Sequence, residues 1–292
     1  MRCDRCGKDA IVHQRYSGLR LCGDHLQLDL AARVRRTIRA HGWIRSGDRI
    51  AIALSGGTGS SSLLHFLSAQ FGNRPDLSLL AISVDEGTGP SHDLKGIERL
   101  AEGIGIEWAG TSFAREFGDI SSGFSHLPGP CREILRNHAL TSLAGRWGAT
   151  KMALGTTLDD EARSVLLSVL RGDEDRLAGR LSLSGTGIPR IRPFLRIPAE
   201  EVALYARLNL PGLEPQCPSN PRDPLEGCVQ QILDEYTGRH PAAPFSLGNL
   251  GEALREQGVP GQQRPQPCVG CSELYSASCP ARLILDRVTG HD

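Results

Sequence analysis

Apolar residues at Leu26, Leu30, Val34 and Ile38 recur every four positions, with Arg33, Arg35, Arg36 and Arg39 between them. That period predicts an amphipathic helix over 26–41 with a basic face. The pattern then changes. Arg49 to Leu54 is a short apolar run, broken by Ser55-Gly56-Gly57-Thr58-Gly59, and a helical pattern resumes near Ser60. Leu77 to Val84 is another apolar run, ended by Asp85-Glu86-Gly87. Such runs fit strands buried on both faces. Residues 93–104 read as a helix and Glu107 to Ala109 as the start of a short strand. Cys131 to Trp147 reads as helix, Lys151 to Gly155 as strand and Asp159 to Arg171 as helix. Gly-rich residues 115–130 and 172–190 read as loops, Ala199 to Leu208 and Leu225 to Tyr236 as helices, and Pro-rich 257–267 as a linker. Strands alternating with helices predict an α/β fold with a parallel sheet.

Composition narrows the class. With 39% hydrophobic and 23% charged residues, the chain belongs with globular proteins and not with disordered chains. Thirty-three basic residues balance thirty-three acidic ones, so net charge does not announce a nucleic-acid binder. No apolar run approaches the roughly 20 residues of a spanning helix. The N-terminus lacks the apolar core of a signal peptide. A cytoplasmic location without membrane association is therefore expected, where clustered cysteines serve as metal ligands or reactive thiols and not as disulfides.

Nine cysteines are present. Cys3-x2-Cys6, a 15-residue gap, then Cys22-x2-His25 gives two close ligand pairs, as a tetrahedral zinc site requires. Gly7 and Gly23 stand where the two knuckles would tighten. Near the C-terminus Cys268-x2-Cys271 is followed by Cys279, and Arg282 stands where a fourth ligand would fall. Arginine offers no lone pair to a metal, so this second zinc site would need another ligand, such as His291. Cys131, Cys217 and Cys228 lie between the two groups.

The turn after the first central strand is a phosphate-binding context. Its glycines let a ligand approach the backbone, and the following helix N-terminus favours an anion. Hydroxyls of Ser55, Ser60 and Ser61 can add donors. Taken with its neighbours, Ser55 to Ser60 resembles the SGGxDS signature of the PP-loop ATP pyrophosphatases. Asp85-Glu86-Gly87 and Gly155-x-x-Leu158-Asp159-Asp160-Glu161-Ala162 match the branch that thiolates tRNA. So do Arg190-x-Arg192-Pro193-Phe194, Ile197-Pro198, Glu201 to Tyr205 and Cys217-Pro218. With Cys clusters at both ends, the chain resembles the TtcA/TtuA type, and TtuA more closely. The resemblance spans nearly the whole chain.

It implies an adenine nucleotide alpha hydrolase-like, Rossmann-like domain flanked by small zinc modules. The expected divisions are 1–27 (zinc finger), 28–215 (PP-loop domain with a basic linker helix), 216–256 (helical extension) and 257–292 (C-terminal Cys module). It implies ATP and magnesium as well as zinc, with ATP held by Ser55, Gly56, Gly57, Thr58, Gly59, Ser60, Ser61, Asp85, Gly155 and Asp159. Asp160, Cys131 and Cys217 would be catalytic, and the two cysteines would hold an iron–sulfur cluster. The substrate would be tRNA, met by Arg33, Arg36 and Arg39. The sulfur donor would be a thiocarboxylated ubiquitin-like protein, and the protein would form a homo- or heterodimer.

The departures fall on the chemistry. The Asp of SGGxDS is Gly59, and Thr58 precedes it. Thr156-Thr157 replaces the His-Asn that often precedes LDDEA. Pro128 replaces the first of the three cluster cysteines. These changes predict an impaired paralogue, or a non-catalytic tRNA-binding or scaffold subunit working beside an active paralogue. An adenylating ligase or amidase on the same loop is a third reading; the retained LDDEA and Cys-Pro argue against it.

Overall fold

The computed structural model describes residues 1–87, 94–118, 129–177, 188–213 and 224–257. The chain opens with a hairpin, β1 (Val12–Gln14) and β2 (Leu19–Leu21), paired antiparallel with Val12 opposite Leu21. Gly18, at φ +76°, supplies the left-handed residue its turn needs. α1 (Gly23–Ala40) follows directly from Cys22. It runs through the division expected at residue 27. Its Leu26 packs with Val12 and Leu21, while Leu30, Val34 and Ile38 enter the core of the following domain.

That domain is a five-stranded parallel sheet in the order β5-β4-β3-β6-β7. Its strands are β3 (Arg49–Ala53), β4 (Ser78–Asp85), β5 (Glu107–Ser112), β6 (Lys151–Ala153) and β7 (Arg190–Ile191). Between them run α2 (Thr58–Phe71), α3 (Leu94–Ile104), α4 (Phe113–Phe117), α5 (Gly129–Trp147), α6 (Leu158–Arg171) and α7 (Glu174–Leu177). Side chains alternate across the strands, and this divides the core in two. Ile50 and Ile52 of β3 join Leu63, Leu67 and Phe194 on one face. Ala51, with Leu80 and Ile82 of β4, meets Leu135, Ala139 and Leu143 of α5 on the other. Burial on both faces is why these strands read as unbroken apolar runs.

Three helices complete the described chain: α8 (Ala199–Asn209), α9 (Pro224–Arg239) and α10 (Ala243–Gln257). α9 buries Val229 and Leu233 against Leu167 of α6. α10 lies close enough to α6 that a Cβ on Gly251 would stand 2.5 Å from Val165. Among the described residues, no helix is long and apolar enough to cross a membrane. β7 is only two residues long, directly after Pro189, and starts on the last residue of what reads as a loop. Pro128, Cys217, Cys268, Cys271, Cys279 and Arg282 lie outside the described residues, as does the expected C-terminal module but for its first residue.

Candidate functional site

β3 has β4 on one side and β6 on the other, so the chain leaves the two neighbouring strand ends in opposite directions. In open α/β sheets that divergence forms the ligand crevice. The loops that border it are Ser55–Gly57 after β3, Glu86–Gly87 after β4 and Leu154–Thr157 after β6.

The first loop is stiffened from within. Ser60 Oγ accepts from Ser55 N at 3.2 Å, lies 3.1 Å from Ser55 Oγ and donates to Gly57 O at 3.0 Å. Gly56 takes φ +80°. α2 then begins with no acidic residue in its first turn and no side-chain cap. The N–H groups of Thr58, Gly59 and Ser60 accordingly have no intrahelical acceptor, which suits a phosphate. Ser61 differs from expectation: it is fully buried, and its hydroxyl has no partner among the described residues.

Both aspartates of the LDDEA motif carry structural bonds. Thr157 caps α6, and Asp160 answers with its own carboxylate in a capping box. Asp160 also pairs with Arg163 at 2.5 Å. Asp159 Oδ2 accepts from Ala199 N at the start of α8 at 2.6 Å. It lines a cleft of about 280 Å³ shared with Tyr16, Pro198 and Phe245. Burial raises the Asp159 carboxyl above its ordinary range and Asp160 adds to the rise, against the opposing bond from Ala199. A raised folded value gives stability that is complete below the unfolded carboxylate range and lost as pH climbs through the folded value. Asp159→Asn, which keeps an oxygen for Ala199, is therefore expected to raise Tm at pH 7, with the gain shrinking towards pH 4. A lower Tm for the variant at pH 7 would contradict this.

The third acid of the motif is a buried hub. Glu161, 3% exposed, accepts from Arg192 at 2.8 Å and pairs on its other oxygen with Arg255 of α10. It thus joins LDDEA, the Arg-x-Arg-Pro-Phe segment and the helical extension. Glu201, on α8, plays the same part for the N-terminal module. It pairs with Arg33 and accepts from Tyr16 Oη at 2.6 Å, tying the N-terminal hairpin and α1 to α8.

Arg33, expected on an RNA-facing surface, is consequently turned inward. It also bonds Asp29 at 2.9 Å and lies over the Tyr16 ring. Arg36 and Arg39 are exposed, as is Arg35, which bonds Gln70. One signal could have placed Arg33: counting seven from Leu26 puts it on the apolar stripe, one turn from Asp29.

Near the N-terminus the ligand atoms of Cys3, Cys6, Cys22 and His25 lie within 4.8 Å of one another. Cys6 and Cys22 sulfurs are 3.7 Å apart, and His25 Nδ1 is 3.6 Å from Cys3 and 3.3 Å from Cys22. A tetrahedron of metal–sulfur bonds near 2.3 Å has edges of about 3.8 Å, so this donor set fits one ion. Gly7, at φ +73°, tightens the first knuckle; Gly23 instead starts α1. Burial pushes the Cys3 thiol up, but backbone bonds from Cys22, Arg5 and Cys6 outweigh it and bring it down to about 6, which favours the thiolate a metal needs.

Cys131 is the third residue of α5. That helix is held to the crevice side of β4 by a pair between Arg136 and buried Glu86. Asn137 Oδ1 accepts from Arg190 at 3.0 Å. Cys228 is exposed on α9.

Comparison with known proteins agrees with this layout. Residues 2–27 match the N-terminal LIM domain of 2-thiouridine synthetase TtuA, and residues 26–211 match the PP-loop domain. The chain is 33% identical to the tRNA 2-thiolation protein NcsA of Haloferax volcanii, over 88% of this chain and 87% of that one. The chain belongs to the PP-loop tRNA 2-thiolation family. Another member, the cytoplasmic tRNA 2-thiolation protein 1 of Bos taurus, is 31% identical over 98% of this chain and 87% of its own. The U34-tRNA thiolase NcsA of Methanococcus maripaludis, solved with its [4Fe-4S] cluster, superposes with a TM-score of 0.82 at 26% identity. The match covers 96% of this chain and 95% of that one.

Proposed function

We propose that this protein takes part in ATP-dependent 2-thiolation of a tRNA base. ATP would lie on the N–H groups at the start of α2. The base C2 oxygen would attack the α-phosphorus and expel pyrophosphate; sulfur would then attack C2 and expel AMP. The observation that carries the reading is the convergence of the β3, β4 and β6 loops, all bearing family motifs, on one crevice beneath a helix N-terminus free of acids.

Asp85, Asp159 and Asp160 are the carboxylates proposed to meet magnesium. Asp85 and Asp159 each already have one oxygen bonded within the protein, and Asp160 has both. Arg36 and Arg39 are proposed to meet tRNA phosphates, and zinc to occupy the N-terminal site. Cys131 and Cys217 are proposed to handle sulfur delivered by a thiocarboxylated ubiquitin-like protein. Two thiolates do not fit a three-cysteine cluster, and Pro128 stands where the third would be.

A second reading, a scaffold beside an active paralogue, is favoured by Gly59 at the motif's acidic position. Nucleoside mass spectrometry of tRNA from a deletion strain separates the two. We expect a thio-nucleoside to disappear and to return with the wild-type gene. It should not return with the Cys131→Ser, Cys217→Ser double variant. Full restoration by that variant would leave the scaffold reading.

A further inference from the structure

Gly59 is the second residue of α2, and Gly155 follows β6 across the crevice. Neither has a positive φ, so backbone conformation does not demand glycine at either place. Space does. A Cβ built on Gly59 would stand 2.5 Å from the carbonyl oxygen of Gly155. A Cβ on Gly155 would stand 2.5 Å from both the carbonyl carbon of Gly59 and the nitrogen of Ser60. These obstacles are backbone atoms on both sides, which cannot rotate away as a side chain can.

We propose that Gly59 and Gly155 form a backbone-to-backbone contact that sets the width of the β3/β6 crevice. The chain has thereby committed its phosphate loop to working with no side chain at position 59. The substitution that removed the signature aspartate is then not a simple loss that one reversion repairs. A neutral carbonyl oxygen now occupies the room into which an aspartate would project, and the nucleotide is met by backbone N–H groups alone on that side. Gly59 is a positioning residue in this sense, and the proposal rests on the nucleotide reading above for its functional consequence.

The sign of a glycine-to-alanine change tests it. At an unobstructed helical position alanine is the better residue. Gly145 of α5 is such a position, exposed and with nothing within 4 Å of a built Cβ. In the full-length protein, Gly145→Ala is expected to raise Tm by about 1–3 °C. Gly59→Ala and Gly155→Ala are each expected to lower it by about 4 °C or more. Gly59→Asp is expected to bind ATP at least about tenfold more weakly than wild type by calorimetry, whether or not magnesium is present. The contact is refuted if Gly59→Ala raises Tm as Gly145→Ala does. Its functional consequence is refuted if Gly59→Asp keeps its Tm and gains magnesium-dependent affinity. The melting measurements need no nucleotide. A wild-type protein that fails to bind ATP would therefore overturn the nucleotide reading and leave the contact to be decided by Tm.

Discussion

Replacing Glu161 with alanine is expected to lower stability by about 3–5 kcal/mol, a fall of roughly 10 °C in Tm. The carboxylate is 3% exposed and answers two guanidiniums, Arg192 and Arg255, which are themselves about four-fifths covered. Burial already pulls Arg192 down, and Glu161 is the chief charge resisting that pull. Removing the acid leaves a positive pair within a packed junction of α6, α10 and the strand-end segment. The neighbouring Asp160 is the control. It is 42% exposed and serves mainly as a capping partner, so Asp160→Ala is expected to cost only about 1 kcal/mol. Chemical denaturation of both variants checks the contrast. Equal losses at the two positions would mean that Glu161 is not the hub its geometry describes.

The second large effect is expected at the N-terminal metal site. Cys22→Ser should remove one equivalent of bound metal and make the first 25 or so residues sensitive to protease. The domain behind them should keep nearly its full melting temperature. The small cluster of Val12, Leu21 and Leu26 supplies this module's own core. At about 2 kcal/mol for each buried side chain, it falls short of the 10–16 kcal/mol that a structural zinc ion contributes in finger peptides. Cys22 also precedes α1 directly and accepts Leu26 N–H, so loss of the site frays the helix start. Leu30, Val34 and Ile38 lie in the larger core and hold the rest of α1 in place. Metal analysis with limited proteolysis tests this; a module that stays resistant without metal would refute it.

Much of this arrangement is legible in the sequence, for physical reasons that differ from element to element. β3 and β4 are buried on both faces, so their runs are continuous and stand out. The zinc-type spacing is legible because both ligand pairs are local. β7 is not legible: two residues directly after a proline carry no period. The struts are harder still. Glu161 and Glu201 can be matched to family motifs, yet nothing local says that their partners are Arg255 and Arg33. Helix polarity misleads at Arg33, because a charge on the stripe looks like one beside it until its partner is known. The motif acids Asp159 and Asp160 read as chemistry, and the structure also gives them the ordinary work of starting helices.

The N-terminal module owes its seat to residues far along the chain. Arg33 and Tyr16 meet Glu201, and Arg15 donates to Gly238 O, 223 positions later. During synthesis the two knuckles can close on a metal as soon as they emerge, since their contacts are local. Their docking surface does not exist until α8 and α9 have been made. The ribosome therefore releases a finished finger first and a place to put it much later. Closure of these distant pairs belongs late in folding, after the sheet has brought the segments that carry them together.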